Sequence, residues 1–290
     1  MASADTSVLM GWLKEQLARG CTSGSLMQSM LDSGWSLADA SDALLKAALP
    51  DPGQGEGMPS APVVVSAALA VAPAAPKLKL GEANVVRAHD RDVRILMDMT
   101  QPHVVVVADL LSPDECGALI EAARGRLQRS QTVSAQEAIT AEVHSARTSE
   151  GMFFQTGESE LIRLLEARIA ALFNWPVDHA EGLQVLRYTP GAEYRPHFDH
   201  FDLLSPGGQT ALSRGGQRVG TVVVYLATPE GGGATVFPDQ GLQVRAQAGH
   251  AVFFSYDLNA GEAGVLHGGA PVTGGEKWVA TKWLREKKFA

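Results

Sequence analysis

LQVLRY (residues 183–188), VGTVVVYL (219–226), ATVFP (234–238), LQVRA (242–246), HAVFFSY (250–256) and KWVATKWL (277–284) are short runs rich in β-branched and aromatic residues. Glycine and proline fill the gaps between them. Strands this short, closed by turns, point to an antiparallel sandwich or barrel in the C-terminal part of the chain. Upstream, HVVVVAD (103–109) reads as one more buried strand. Ser112 is placed to cap a helix running to about Leu127, with Pro113 in its first turn and Asp114 and Glu115 at the positive end of the helix dipole. A second amphipathic helix is expected over Leu161–Phe173. The fold class expected is mainly β with supporting helices.

Residues 1–49 read as a separate small module of three helices. Val8, Leu9, Trp12, Leu13 and Leu17 form one stripe, Leu26, Met27, Met30 and Leu31 a second, and Ala40, Ala43, Leu44 and Ala47 a third. A bundle of this size buries a marginal core, and a protein partner is the ligand such a module could take. Residues 50–77, rich in Pro and Ala and almost without charge, read as a linker, leaving 78–290 as the main domain.

The 290 residues carry 24 Lys plus Arg against 32 Asp plus Glu, a net charge of −8. That balance disfavours binding to a nucleic-acid backbone, and 45% apolar residues exclude overall disorder. Pro62 and Pro73 interrupt the most apolar stretch, Ala61–Pro76, so no membrane span is expected. The two cysteines, Cys21 and Cys116, form no disulfide framework, and MASADTSV carries no leader signature. Cytoplasmic location is the expectation.

His197 and Asp199, in RPHFD, stand two apart, so on a strand they project from one face. His267, in VLHGG several strands later, can supply a third ligand. Two His and one carboxylate with open positions make the facial triad of non-haem Fe(II) oxygenases, although zinc accepts the same residue types. Lys277 begins a strand expected to neighbour that of His267. A Lys in an apolar strand is costly unless it meets an anion, for which the 5-carboxylate of a 2-oxoacid is a candidate. The plainer reading of Lys277 is a solvated strand edge.

RYTPGAEYRPHFDHF, GGQRVGTVVVYL, GGATVFP, AGHAVFFS and LHGGAPVTGGEKWVATKWLRE, in this order, resemble the catalytic core of prolyl 4-hydroxylase-type 2-oxoglutarate/Fe(II) oxygenases. LLSPDECGALIEAA and ARTSEGMFF extend the resemblance to about residues 95–290. It implies a double-stranded β-helix, or jelly-roll, with Fe(II) held by His197, Asp199 and His267. It implies Lys277 at the 5-carboxylate of 2-oxoglutarate, Tyr188 and Tyr225 along the cosubstrate pocket, and Tyr194, Arg218 and Trp283 on the substrate side. Core packing is the alternative for Tyr194, Tyr225 and Trp283, and a surface role for Arg218. Arg147 would organise a loop.

The implied reaction hydroxylates a prolyl residue in a peptide or protein, consuming O2 and 2-oxoglutarate and releasing succinate and CO2, with ascorbate as reductant. Ala234 and His250 depart from the family's pattern, at positions that bind no iron. Residues 202–217, rich in Gly and Ser, read as a mobile loop above the metal. The MLDSGW…ALL pattern bears some resemblance to a ubiquitin-associated-type module, and a helical appendage without that function is the plainer reading. Two other functions stay open: an oxygenase of the same fold acting on a free amino acid or small metabolite, and a non-catalytic binding protein. The intact triad with Lys277 argues against the latter.

Overall fold

The computed structural model describes residues 9–14, 26, 30, 35, 37–48, 76, 83–129, 132–133, 141–142, 148–201, 206–256 and 265–289. The proposed linker at 50–77, apart from Pro76, lies outside them, as does Arg147. Near the N-terminus, residues 9–14 and α1 (Leu37–Ala48) are helical. Leu13 from the first apolar stripe, Leu26 and Met30 from the second, and Ala40, Ala43 and Leu44 from the third share one buried cluster.

The larger part of the chain opens with β1 (Val85–Ala88), β2 (Arg91–Met99) and β3 (Val104–Ala108). Then come α2 (Pro113–Arg124) and the two-residue strands β4 (Gln128–Arg129), β5 (Thr132–Val133) and β6 (Ala141–Glu142). β7 (Glu150–Phe154) leads to α3 (Glu160–Phe173), and β8 (Leu183–Tyr188) and β9 (Tyr194–His197) lead to α4 (Pro206–Leu212). The chain continues through β10 (Arg218–Ala227), β11 (Gly231–Gly232), β12 (Thr235–Phe237) and β13 (Leu242–Val244). It ends with β14 (Ala251–Ser255), β15 (His267–Gly269), β16 (Val272–Gly274) and β17 (Lys277–Arg285).

A nine-stranded sheet has the order β1-β2-β3-β14-β10-β17-β8-β7-β4, and a four-stranded sheet the order β13-β12-β15-β9. Their ladders are antiparallel, as the jelly-roll reading requires. Strand alternation then sorts the side chains into two cores. Val222, Val224, Phe253, Trp278 and Ala280 face α2 and α3. Tyr225, Val252, Phe254, Val279 and Leu186 face inward and pack with Phe237 of the smaller sheet.

The cap of α2 is a reciprocal box, in which Glu115 N–H donates to Ser112 Oγ (3.2 Å) and Ser112 N–H to Glu115 Oε2 (2.7 Å). Such a cap contributes about 1 kcal/mol. The helix ends at Arg124, short of the expected Leu127. Arg126 N–H turns back onto Ala123 O (2.9 Å), which frees Gln128–Arg129 to join β7 at the sheet edge. Two further expectations are corrected. Pro206–Leu212, expected as loop, is helical, while 202–205 lie outside the described residues. β17 does not neighbour the His267 strand: it lies between β10 and β8 in the large sheet, whereas β15 lies in the small one.

Candidate active site

β9 and β15 are paired so that His197 stands directly opposite His267. Asp199 follows two residues beyond His197, just past the end of β9. Its Oδ1 lies 3.4 Å from His197 Nε2 and its Oδ2 3.4 Å from His267 Nε2. One ligand atom from each residue falls within a 4.8 Å cluster. His200 takes no part in it.

The backbone fixes which nitrogen is available. His197 Nδ1 lies 2.8 Å from Arg195 O, and His267 Nδ1 lies 2.9 Å from Val265 O. A carbonyl only accepts, so each Nδ1 carries a proton and each Nε2 is the nitrogen turned toward the cluster. Burial pushes His197 toward its neutral form. Burial would also raise the Asp199 pKa, but His267 and His197 beside it hold the carboxyl well below the usual range. Thr221 Oγ1 (2.8 Å) and Tyr256 OH (3.2 Å) donate to Asp199 Oδ2 and fix its plane. Two imidazole Nε2 atoms and a carboxylate converge on one point. That donor set fits a divalent cation such as Fe(II). Phe254 and Phe237, with ring centroids 4.4 and 6.3 Å from His267, wall the inner side.

Lys277 comes from the opposite sheet. It starts β17 directly across from Tyr188 and is 4% exposed. Its ammonium lies 5.3 Å from the Tyr188 ring centroid and 6.0 Å from that of Tyr225. Tyr225 OH donates to Thr235 Oγ1 (2.7 Å), and burial pushes its pKa up. Lys277 reaches beneath the small sheet, where a Cβ placed on Gly269 would sit 3.6 Å from Nζ. Burial alone lowers the Lys277 pKa to about 8, and among the described residues no carboxylate forms an ion pair with it. A buried cation without an internal counter-ion fits an external carboxylate.

At the other end of β17, Trp283 faces inward, directly opposite Thr221. Its buried Nε1–H has no hydrogen-bond partner among the described residues. The Arg218 guanidinium lies 4.0 Å from the Trp283 ring centroid. Arg218 is neither free nor on the surface: Nε and Nη2 donate to the two oxygens of Glu181 (2.7 and 3.0 Å), and Nη1 to Asp199 O (3.3 Å). Tyr194 stacks on His197 at 3.7 Å, so it packs against a site histidine. Phe153 of β7, 48% exposed, extends the aromatic surface, with its ring centroid 6.4 Å from that of Trp283.

Sequence reasoning missed Thr221, Tyr256, Thr235 and Glu181. Thr221 and Tyr256 share an inward phase with Tyr225 and Phe254, so alternation alone could have flagged them. Glu181 carries no local signal, since its partners Arg218 and Arg285 are distant in the chain.

Residues 183–285 match the 2OG-Fe(II) oxygenase superfamily. Prolyl 4-hydroxylase 1 of Arabidopsis thaliana is 37% identical over 227 residues, covering 69% of this chain and 77% of the relative. A probable prolyl 4-hydroxylase 6 of the same plant is 35% identical over 208 residues, covering 65% and 70%. A putative prolyl 4-hydroxylase of Acanthamoeba polyphaga mimivirus is 32% identical over 217 residues, covering 71% and 87%. Among solved structures, a viral collagen prolyl hydroxylase from Paramecium Bursaria Chlorella virus-1, in complex with 2OG, aligns at 30% identity and TM-score 0.48 over 63% of this chain and 95% of that one. With relatives this similar aligned over most of their length, the chain belongs to the prolyl 4-hydroxylase-type 2-oxoglutarate/Fe(II)-dependent dioxygenases, with Fe(II) as its metal and 2-oxoglutarate as its cosubstrate.

Proposed function

We propose that the chain hydroxylates prolyl residues within a peptide or protein. The observation that carries this reading is the mouth of the barrel beside the triad. There Trp283, whose buried Nε1–H has no partner among the described residues, and the exposed Phe153 ring form an aromatic wall with one spare donor. Proline arrives in a pre-ordered extended form, packs well on aromatic faces and presents backbone carbonyls as acceptors. The relatives named as prolyl 4-hydroxylases support the same substrate class.

In this reading His197, Asp199 and His267 hold Fe(II) through two Nε2 atoms and a carboxylate oxygen. Lys277 pairs with the 5-carboxylate of 2-oxoglutarate, flanked by Tyr188 and Tyr225. When bound, Fe(II) supplies activation of O2 coupled to decarboxylation of 2-oxoglutarate to succinate and CO2, and ascorbate is the proposed reductant. Thr221 and Tyr256 hold Asp199 in orientation. Tyr194, Arg218 and Trp283 form the substrate side. Arg218 acts there through its hold on Asp199 O and its stacking on Trp283, since Glu181 already occupies two of its nitrogens.

The division into a helical module (1–49), a linker (50–77) and a catalytic domain (78–290) is part of the proposal, as are a protein partner for the module and a cytoplasmic location. Among the described residues no helix is long and apolar enough to cross a membrane. The deciding experiment compares kcat/KM for free L-proline and a short proline-rich peptide, with the product read as a mass gain of one oxygen. A peptide preference is expected. A preference for free proline would leave the small-metabolite oxygenase as the reading.

A further inference from the structure

Arg285 ends β17 and is 2% exposed. Its guanidinium gathers groups from three separate stretches of chain. Nη1 donates to Glu181 Oε1 (2.7 Å), the carboxylate that also grips Arg218. Nη2 faces three backbone carbonyls, those of Ala211 (2.7 Å), Gly216 (2.6 Å) and Arg214. These carbonyls belong to the end of α4 and the turn that follows, where a helix leaves its last acceptors without intrahelical donors. The Phe201 ring centroid lies 4.9 Å from the Arg285 guanidinium carbon and 4.7 Å from that of Arg218.

Phe201 stands two residues after Asp199, and its backbone is held on both sides by one side chain. Phe201 N–H donates to Gln217 Oε1 (2.8 Å), and Gln217 Nε2 donates to Phe201 O (2.9 Å). The segment leaving Asp199 is therefore pinned where it departs, by Gln217, and again at residues 211–216, by Arg285. Arg285 touches none of the three clustered site residues. It is joined to them through Glu181, Arg218 and Asp199 O.

We propose that Arg285 is a positioning residue for the substrate side: it staples the α4 turn to the barrel mouth and, through Glu181, holds Arg218 against Trp283. This rests on the peptide-hydroxylase reading. The staple sets the wall that an extended peptide meets, while the iron and 2-oxoglutarate ends of the site stand on other residues. Loss of the staple therefore acts on peptide KM and on coupling, not on cosubstrate binding.

The test uses the full chain with Arg285→Met, and Arg285→Lys as the conservative variant. Trypsin reports the staple directly, because Arg214 lies within the stapled turn. Cleavage after Arg214 should accelerate about tenfold in Arg285→Met, with Arg285→Lys intermediate. Peptide KM should rise about tenfold, and succinate formed per hydroxylated residue should exceed the wild-type ratio. Iron content and the KM for 2-oxoglutarate should stay at wild-type values. Unchanged cleavage, or faster cleavage with unchanged peptide KM and coupling, overturns the proposal. So does a parallel loss of iron, which would make the role one of general folding. Faster cleavage in an enzyme whose wild type hydroxylates no peptide keeps the staple and defeats the peptide reading instead.

Discussion

Replacing Lys277 with methionine should move two observables in opposite directions. Burial alone brings the Lys277 pKa from 10.5 to about 8. One pKa unit corresponds to about 1.4 kcal/mol between the two protonation states. The folded, ligand-free chain therefore disfavours this ammonium by on the order of 3 kcal/mol at neutral pH. Methionine fills a similar volume without charge, so the ligand-free variant should be more stable, with Tm higher by roughly 5 °C. Affinity for 2-oxoglutarate should fall, because its carboxylate would enter the same buried place without a partner. Removing one partner of a buried charged pair costs about 2–5 kcal/mol, roughly 30-fold or more in KM.

The pH dependence follows from the sign of the shift. The folded pKa lies below the unfolded value, so the unfolded chain binds more protons between about pH 8 and 10.5. The Lys277 contribution to ligand-free wild-type stability therefore rises with pH across that window. Affinity for 2-oxoglutarate, which needs the ammonium, falls across it. Both trends should vanish in Lys277→Met. The assay is thermal melting with and without 2-oxoglutarate, together with succinate formation as a function of its concentration and of pH. A variant less stable than wild type without ligand, yet unchanged in its 2-oxoglutarate KM, would refute the reasoning.

His197→Ala, Asp199→Ala and His267→Ala should each abolish Fe(II)-dependent succinate formation, with iron content lost and Tm within a few degrees of wild type; normal turnover removes that residue from the metal set. Chelation of the metal should stop succinate formation in the wild type, and added Fe(II) should restore it. Deleting residues 1–76 should leave a folded protein that still consumes 2-oxoglutarate without substrate. An insoluble or iron-free product would place the helices in the catalytic body.

The strands were legible because their chemistry is local. Short continuous runs of Val, Phe and Tyr specify extended segments, and β3 and β14 are buried along their whole length, as such runs suggest. The partners of each strand were less legible. Lys277 and His267 lie close in sequence, yet Val272–Gly274 intervenes as β16 and the chain passes from the small sheet to the large one. Lys277 thus meets the His267 strand face to face across the barrel instead of edge to edge. α4 escaped notice because its sequence, PGGQTAL, has poor helix propensity. The carbonyls at its end are met by Arg285, far along the chain.

β17 shows how a strand's alternation distributes chemistry. Every residue of KWVATKWLR is buried, although four of the nine are polar or charged. On the face toward the helices, Lys282 Nζ meets Glu166 at 2.6 Å, both buried. On the inner face Arg285 meets Glu181 at 2.7 Å. Two of the three cations on this strand thus carry internal counter-ions, which is what burial of a charge demands. Lys277 is the exception, and it shares the inner face with Trp283, six residues and about 20 Å further along. A one-residue slip in register would turn Lys277 toward the helices and bring Trp278 inside, losing the cation and the Trp283 donor together. On the proposed assignment, the pairing of Lys277 with Tyr188 and of Trp283 with Thr221 sets the distance between the cosubstrate anion and the substrate wall. On the same proposal, the counter-ion that Lys277 lacks among the described residues marks the end of the strand that takes the ligand.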